Sequence, residues 1–88
     1  HDPRAAEAVA LFCYQAKKAI GALAAALGGV DTLVFSAGIC EHSSVVRARI
    51  CEGLEFLGIT IDSTRNEAND TVISTEDSQV TVRVIHTD

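Results

Sequence analysis

The stretch Asp31-Thr32-Leu33-Val34-Phe35-Ser36-Ala37-Gly38-Ile39-Cys40-Glu41-His42-Ser43-Ser44 constrains this chain most, because an apolar run breaks into small residues and then restarts with helical spacing. A strand that turns through small residues into a helix N-terminus leaves unpaired N–H groups facing a gap, a common cradle for nucleotide phosphates. Leu33-Val34-Phe35 reads as a short strand buried on both faces. Gly38 falls where the chain must turn sharply and permits close approach by a ligand. Ser43 or Ser44 can cap the helix that follows, with an inward face at Val46, Ile50, Leu54 and Leu57 and a stop at Gly58.

The flanking segments extend this β-α unit in both directions. Asp2-Pro3 is a helix start, with Asp as N-cap and Pro at the first helical position. Ala5, Val9, Phe12, Ala16, Ile20, Leu23 and Leu27 then step by three or four residues along one face, and Gly28-Gly29 ends the helix. Leu11 and Tyr14 widen the apolar stripe, and alanines at 22, 24, 25 and 26 allow close packing, so this helix is expected to be covered on more than one side. Ile59-Thr60-Ile61 and Val72-Ile73 read as short strands, and the polar run from Asp62 to Asp70 as an exposed loop. Val80, Val82 and Val84 alternate with Thr81, Arg83 and Ile85, which predicts a final strand that can run parallel to the one ending at Phe35. The expected class is α/β: a long helix followed by β-α-β elements.

Composition narrows the possible roles. At 88 residues the chain is one domain or part of one, and with no initiator Met and 48% hydrophobic residues it reads as a fragment of a larger buried structure. A net charge of −5 with seven scattered Lys and Arg residues argues against nucleic acid. Lys17 and Lys18 interrupt the first helix, so no apolar run reaches the roughly 18 to 20 residues of a membrane span. Three cysteines without a C-x-x-C pair make no disulfide framework and fit a reducing compartment, with cytoplasm as the expectation.

Several residues of the loop could carry chemistry. Neither G-x-G-x-x-G nor G-x-x-x-x-G-K is present. Glu41 can be stabilised by a helix dipole alone, or can hold ribose hydroxyls, loop amides or a metal-bound water. Cys40 with His42 could form an activated thiolate, although a capped or buried thiol is the commoner outcome and no third orienting group is evident. Cys40, His42 and Cys51 match no zinc-site spacing, and Cys13 and Cys51 read as core. Arg47 and Arg49 project about 200° apart on an ideal helix, so they form no anion clamp and read as solvated ion-pairing residues.

Taken together, Asp2-Pro3-Arg4-Ala5, the helix with Phe12, Tyr14, Lys17, Lys18, Ile20 and Gly21, the run Gly29-Val30-Asp31, the strand and loop, Val46-Arg47-Ala48-Arg49, and Gly53-Leu54-Glu55-Phe56-Leu57-Gly58-Ile59 resemble the C-terminal part of the acetate kinase family. The resemblance continues through Ile73-Ser74-Thr75, Asp77-Ser78, Val84-Ile85 and Thr87-Asp88, so it is nearly end to end. It implies that residues 1–88 are a single partial domain, the C-terminal nucleotide-side lobe of a ribonuclease-H-like kinase of the actin, hexokinase and Hsp70 superfamily. It implies reversible transfer of the ATP γ-phosphoryl group to acetate, giving acetyl phosphate and ADP, with Mg²⁺ and in a homodimer.

The family segment G-I-G-E-N, which contacts ATP near its adenosine end, falls on Gly38, Ile39, Cys40, Glu41 and His42. Cys40 stands for a glycine and His42 for an asparagine, which puts nucleotide affinity in question. The resemblance also implies that the catalytic residues and the metal ligands lie outside this segment, so the 88 residues alone are expected to be inactive. The alternatives are a catalytically inactive nucleotide-binding or dimerisation module, a kinase for another short-chain acid such as propionate, and a Rossmann-type dinucleotide domain.

Overall fold

The computed structural model describes residues 2–86. The His1 terminus and the Thr87-Asp88 end of the resemblance lie outside the described residues. Helix α1, Pro3–Leu27, starts where the Asp2 carboxylate accepts the N–H of Arg4 at 2.9 Å, and it ends at Gly28 in the left-handed region (φ 80°). Both ends therefore satisfy orphan backbone groups as the sequence predicts. Strand β1, Thr32–Ser36, leads into the one-turn helix α2, Gly38–His42, and then into α3, Ser44–Cys51. Ser43 serves both helices: its N–H closes α2 on the carbonyl of Ile39, while its hydroxyl accepts from Val46 N–H at 3.2 Å.

The helix after the loop is shorter than its apolar spacing predicts. Glu52 adopts an extended conformation (φ −60°, ψ 125°) and stops α3 at Cys51, after which Leu54 is buried and Glu55–Leu57 forms a separate 3-10 turn closed by Gly58. The apolar positions are right, yet the chain bends between them. The polar run expected as a loop contains helix α4, Ser63–Glu67, capped by the Asp62 carboxylate at 3.0 Å from Arg65 N–H. Strand β2, Thr81–Ile85, lies parallel to β1 with Thr32 opposite Thr81 and Ser36 opposite Ile85. The two shorter expected strands reduce to single antiparallel bridges, Ile61 with Ser74 and Val72 with Arg83. The Asp62 N–H still pairs with the Ile73 carbonyl at 2.7 Å while its carboxylate caps α4, and the Ser74 hydroxyl takes the place of a carbonyl in accepting Val82 N–H at 3.1 Å.

One core joins these pieces: Cys13, Phe35, Val46, Ile50, Cys51, Leu54, Ile59, Ile73, Val80, Val82 and Val84. Cys13 and Cys51 are core residues, as expected. α1 contributes a flank of Val9, Cys13, Ala16, Ile20 and Ala24, rotated from the predicted stripe. Small side chains at 13 and 24 let α1 lie against the body, and Leu11, Phe12, Tyr14, Leu23 and Leu27 are left exposed. Within these residues α1 is therefore covered on one side, contrary to the expectation of wider burial. β1 also departs from its prediction: Phe35 is buried and Val34 is 45% exposed, because the two-stranded sheet has one open face. No helix among the described residues is long and apolar enough to cross a membrane.

Candidate functional site

The turn from β1 into α2 sets the geometry of the loop. Ala37 has φ 61° and ψ 151°, and Gly38 follows with φ 57°. Two successive positive φ values mark the junction between β1 and α2. Gly38 adopts such a conformation readily, whereas Ala37 occupies a region that side-chain-bearing residues rarely enter. No heavy atom outside its two chain neighbours and the α2 backbone lies within 4 Å of the place where a Cβ on Gly38 would stand, so the space above the turn is open.

Beyond the turn, the five candidate residues form α2 itself, where the sequence suggests only a loop, and they divide by exposure. Gly38, Ile39 and His42 face outward, with Ile39 45% exposed and the His42 side chain 73% exposed. Cys40 is half-buried against the core, and burial, with Cys13 nearby, pushes its thiol up; Arg47 opposes this only in part. A raised thiol is the opposite of an activated nucleophile and gives the thiolate reading of Cys40 with His42 no support. Glu41 is 2% exposed, its Oε2 lying 3.8 Å from His42 Nε2 and 3.9 Å from His86 Nδ1. Its carboxylate is thus turned toward two imidazoles. Among the described residues no three His, Cys, Asp or Glu side chains converge as a metal cage.

The residue that sequence reasoning misplaced is Arg47. Expected to be solvated, it is fully buried at 0% exposure. Its Nε donates to Asn66 Oδ1 (2.7 Å), Nη1 donates to the carbonyls of Cys40 (2.9 Å) and Glu41 (2.8 Å), and Nη2 donates to the carbonyl of Asn66 (2.9 Å) and to Asn69 Oδ1 (2.6 Å). Burial pushes the guanidinium below its ordinary value. The available signal was spacing: Arg47, Cys51 and Leu54 recur at i, i+4 and i+7, which puts Arg47 on the inward side of α3. Arg49, by contrast, is exposed as expected.

Two further residues complete the setting. Asn66 is buried and donates its amide to the Ser44 carbonyl at 2.8 Å, tying α4 to the start of α3. His86, whose role could not be read from the sequence, places Nε2 2.9 Å from the Asn69 carbonyl. A depression of about 600 Å³ lies between α3 and α4, lined by Ser44, Val45, Ala48, Thr60, Ile61 and Asn66 among others, and none of Gly38–His42 borders it.

Comparison with known proteins places the fold. The acetokinase family model matches residues 1–88. The acetate kinase of Coprothermobacter proteolyticus is 49% identical over 87 residues, covering 98% of this chain and 22% of that protein. The crystal structure of Porphyromonas gingivalis acetate kinase superposes with a TM-score of 0.90 at 45% identity, over 97% of this chain and 22% of that one. A propionate kinase from Francisella tularensis superposes at 0.84 with 30% identity, over 99% of this chain and 22% of that one. The chain therefore spans about a fifth of the length of the relatives it matches. With the sequence matched across its whole length and the backbone shared with solved kinases, the chain belongs to the acetokinase family.

Proposed function

We propose that this chain is part of an acetate kinase-like phosphotransferase that moves the ATP γ-phosphoryl group reversibly to acetate, and that Gly38, Ile39, Cys40, Glu41 and His42 form its nucleoside-contacting segment. The observation that carries the reading is the outward face of α2, where an open turn at Gly38 stands beside an exposed apolar Ile39 and an exposed imidazole at His42. These groups fit a nucleoside: a flat apolar surface for the base, and one donor and one acceptor for its polar edge or the sugar hydroxyls. Buried Glu41 better suits holding the segment than meeting the ligand. Residues 1–88 then form one wall of the site, in the C-terminal, nucleotide-side lobe. The Mg²⁺ of the reaction is assigned to ligands elsewhere in the longer protein, and the compartment to the cytoplasm.

The test is acetyl phosphate formation from Mg-ATP and acetate by the full-length protein, with the 88-residue chain assayed beside it. Activity is expected only in the former; full-length protein with neither ATP binding nor phosphoryl transfer would sink the assignment. Activity confined to propionate would change the acid and keep the class. A second reading, a dimerisation module with weakened nucleotide binding, draws on the exposed Leu11, Tyr14, Leu23 and Leu27 of α1 and on Cys40 and His42 in the segment. ATP binding restored only by Cys40→Gly with His42→Asn favours that second reading.

A further inference from the structure

We infer that Arg47 is a positioning residue for the nucleoside, acting through the α2 backbone: it fixes where Ile39 and His42 stand by locking two α2 carbonyls to α4. This rests on the reading of Gly38–His42 as the nucleoside segment.

An arginine carries five N–H donors, and Arg47 has an acceptor for each of them. All five acceptors are carbonyl or amide oxygens. A fully buried cation held only by neutral acceptors is unfavourable as a stability device alone, since apolar packing would serve as well without the desolvation penalty. What the guanidinium supplies, and an apolar side chain cannot, is a planar fork that fixes several acceptors relative to one another.

The acceptors belong to two groups. The carbonyls of Cys40 and Glu41 lie near the end of α2, where a helix of five residues leaves carbonyls without intrahelical partners. So short a helix has little stability of its own, and a cation beside its C-terminal carbonyls also favours its dipole. The remaining three acceptors come from Asn66 and Asn69, at and just after the end of α4. Asn69 sits in the left-handed region (φ 54°) and its own carbonyl meets the His86 ring, which in turn lies 3.9 Å from Glu41 Oε2. The chain of contacts closes from α2 through Arg47, Asn69 and His86 back to α2. The outward side chains of the segment are thereby referenced to α4 and to the end of β2.

Asn69→Gly isolates this link in the full-length protein. Glycine keeps the left-handed backbone and the carbonyl that meets His86, and it removes the carboxamide side chain whose oxygen lies 2.6 Å from Arg47 Nη2. Arg47→Lys, which replaces the fork by a point charge, is the stronger variant. Amide hydrogen exchange at residues 39–42 and the KM values for ATP and acetate are the readouts. Asn69→Gly is expected to speed exchange at 39–42 and to raise the KM for ATP roughly 3- to 10-fold, less than the full worth of a charge-assisted hydrogen bond because the loss reaches the nucleoside only through the α2 backbone, with the KM for acetate unchanged. Unchanged exchange overturns the positioning role, as does an equal rise in both KM values, which marks general loosening. Faster exchange with an unchanged KM for ATP overturns instead the assignment of Gly38–His42 to the nucleoside. Arg47→Lys that folds and leaves both exchange and KM at wild-type values also overturns the role.

Discussion

Cys51 shows how one buried group ties this fold to pH. Burial, with Glu55 nearby, pushes its thiol from 9.0 up to about 12. Between those values the unfolded chain releases a proton that the folded chain retains, so stability present below pH 9 is lost as pH rises toward 12. The urea midpoint of the protein is expected to fall steeply above pH 9. Cys51→Ala, which lowers stability at pH 7 by a small-cavity effect of about 1 kcal/mol, should flatten that fall. Parallel slopes for the two proteins between pH 9 and 11 would refute the assignment. Arg47 teaches the complementary lesson. A helical wheel puts it on the same side as Cys51 and Leu54, but residue type argues for solvent, and type is the stronger prior until acceptors from a distant segment are known. Asn66 lies 19 residues away and Asn69 lies 22 away. No local reading of the sequence contains them.

The junction between β1 and α2 is where local preference and the folded backbone disagree. Ala37 at φ 61° and ψ 151° stores strain on the order of 1–3 kcal/mol that glycine would not carry. Ala37→Gly is expected to raise stability by about 1 kcal/mol after the greater unfolded-state freedom of glycine is deducted, read as a higher urea midpoint. A lower midpoint would show that the methyl group is held by contacts that outweigh the strain. Elements with signals inside their own sequence were legible: Asp2 and Gly28 mark the ends of α1, Ser43 the start of α3, and alternating valines β2. α4 was not, because Ser63-Thr64-Arg65-Asn66-Glu67 has no apolar period. It is stabilised by the Asp62 cap and by the bonds of Asn66 to Arg47 and Ser44, two of which join groups far apart in the chain. The candidate segment was found through family resemblance and not through local chemistry. Its division into outward Ile39 and His42 and inward Glu41 follows from α2 being helical, which a one-turn helix of mixed residues does not announce.

At the scale of the molecule, α1 and the sheet share an unfinished character. Parallel strands ordinarily lie inside sheets covered on both faces, yet β1 and β2 stand as a pair with Val34 and Ile85 exposed at 45% and 50%. Leu11, Tyr14, Leu23 and Leu27 on α1 are exposed by more than half. Apolar surface of this extent promotes association. The isolated 88-residue chain is expected to self-associate in sedimentation experiments, and Leu23→Ser with Leu27→Ser should shift it toward monomer. A chain that stays monomeric at high concentration would argue that these side chains fold back onto its own surface.

The pairing of β1 with β2 also has a consequence for how the protein is made. Thr32 must find Thr81, with every other element from α2 to α4 lying between them in the chain. Contacts so distant in sequence form late, because the intervening loop must be closed before they yield any return in stability. During synthesis, α1 and β1 therefore leave the ribosome before β2 does, with Phe35 bare of Val84, its later partner in the sheet. The emerging chain spends that interval as an apolar nascent segment prone to aggregate, so mutations that slow β2 pairing should first be seen as a loss of soluble yield rather than of activity per molecule.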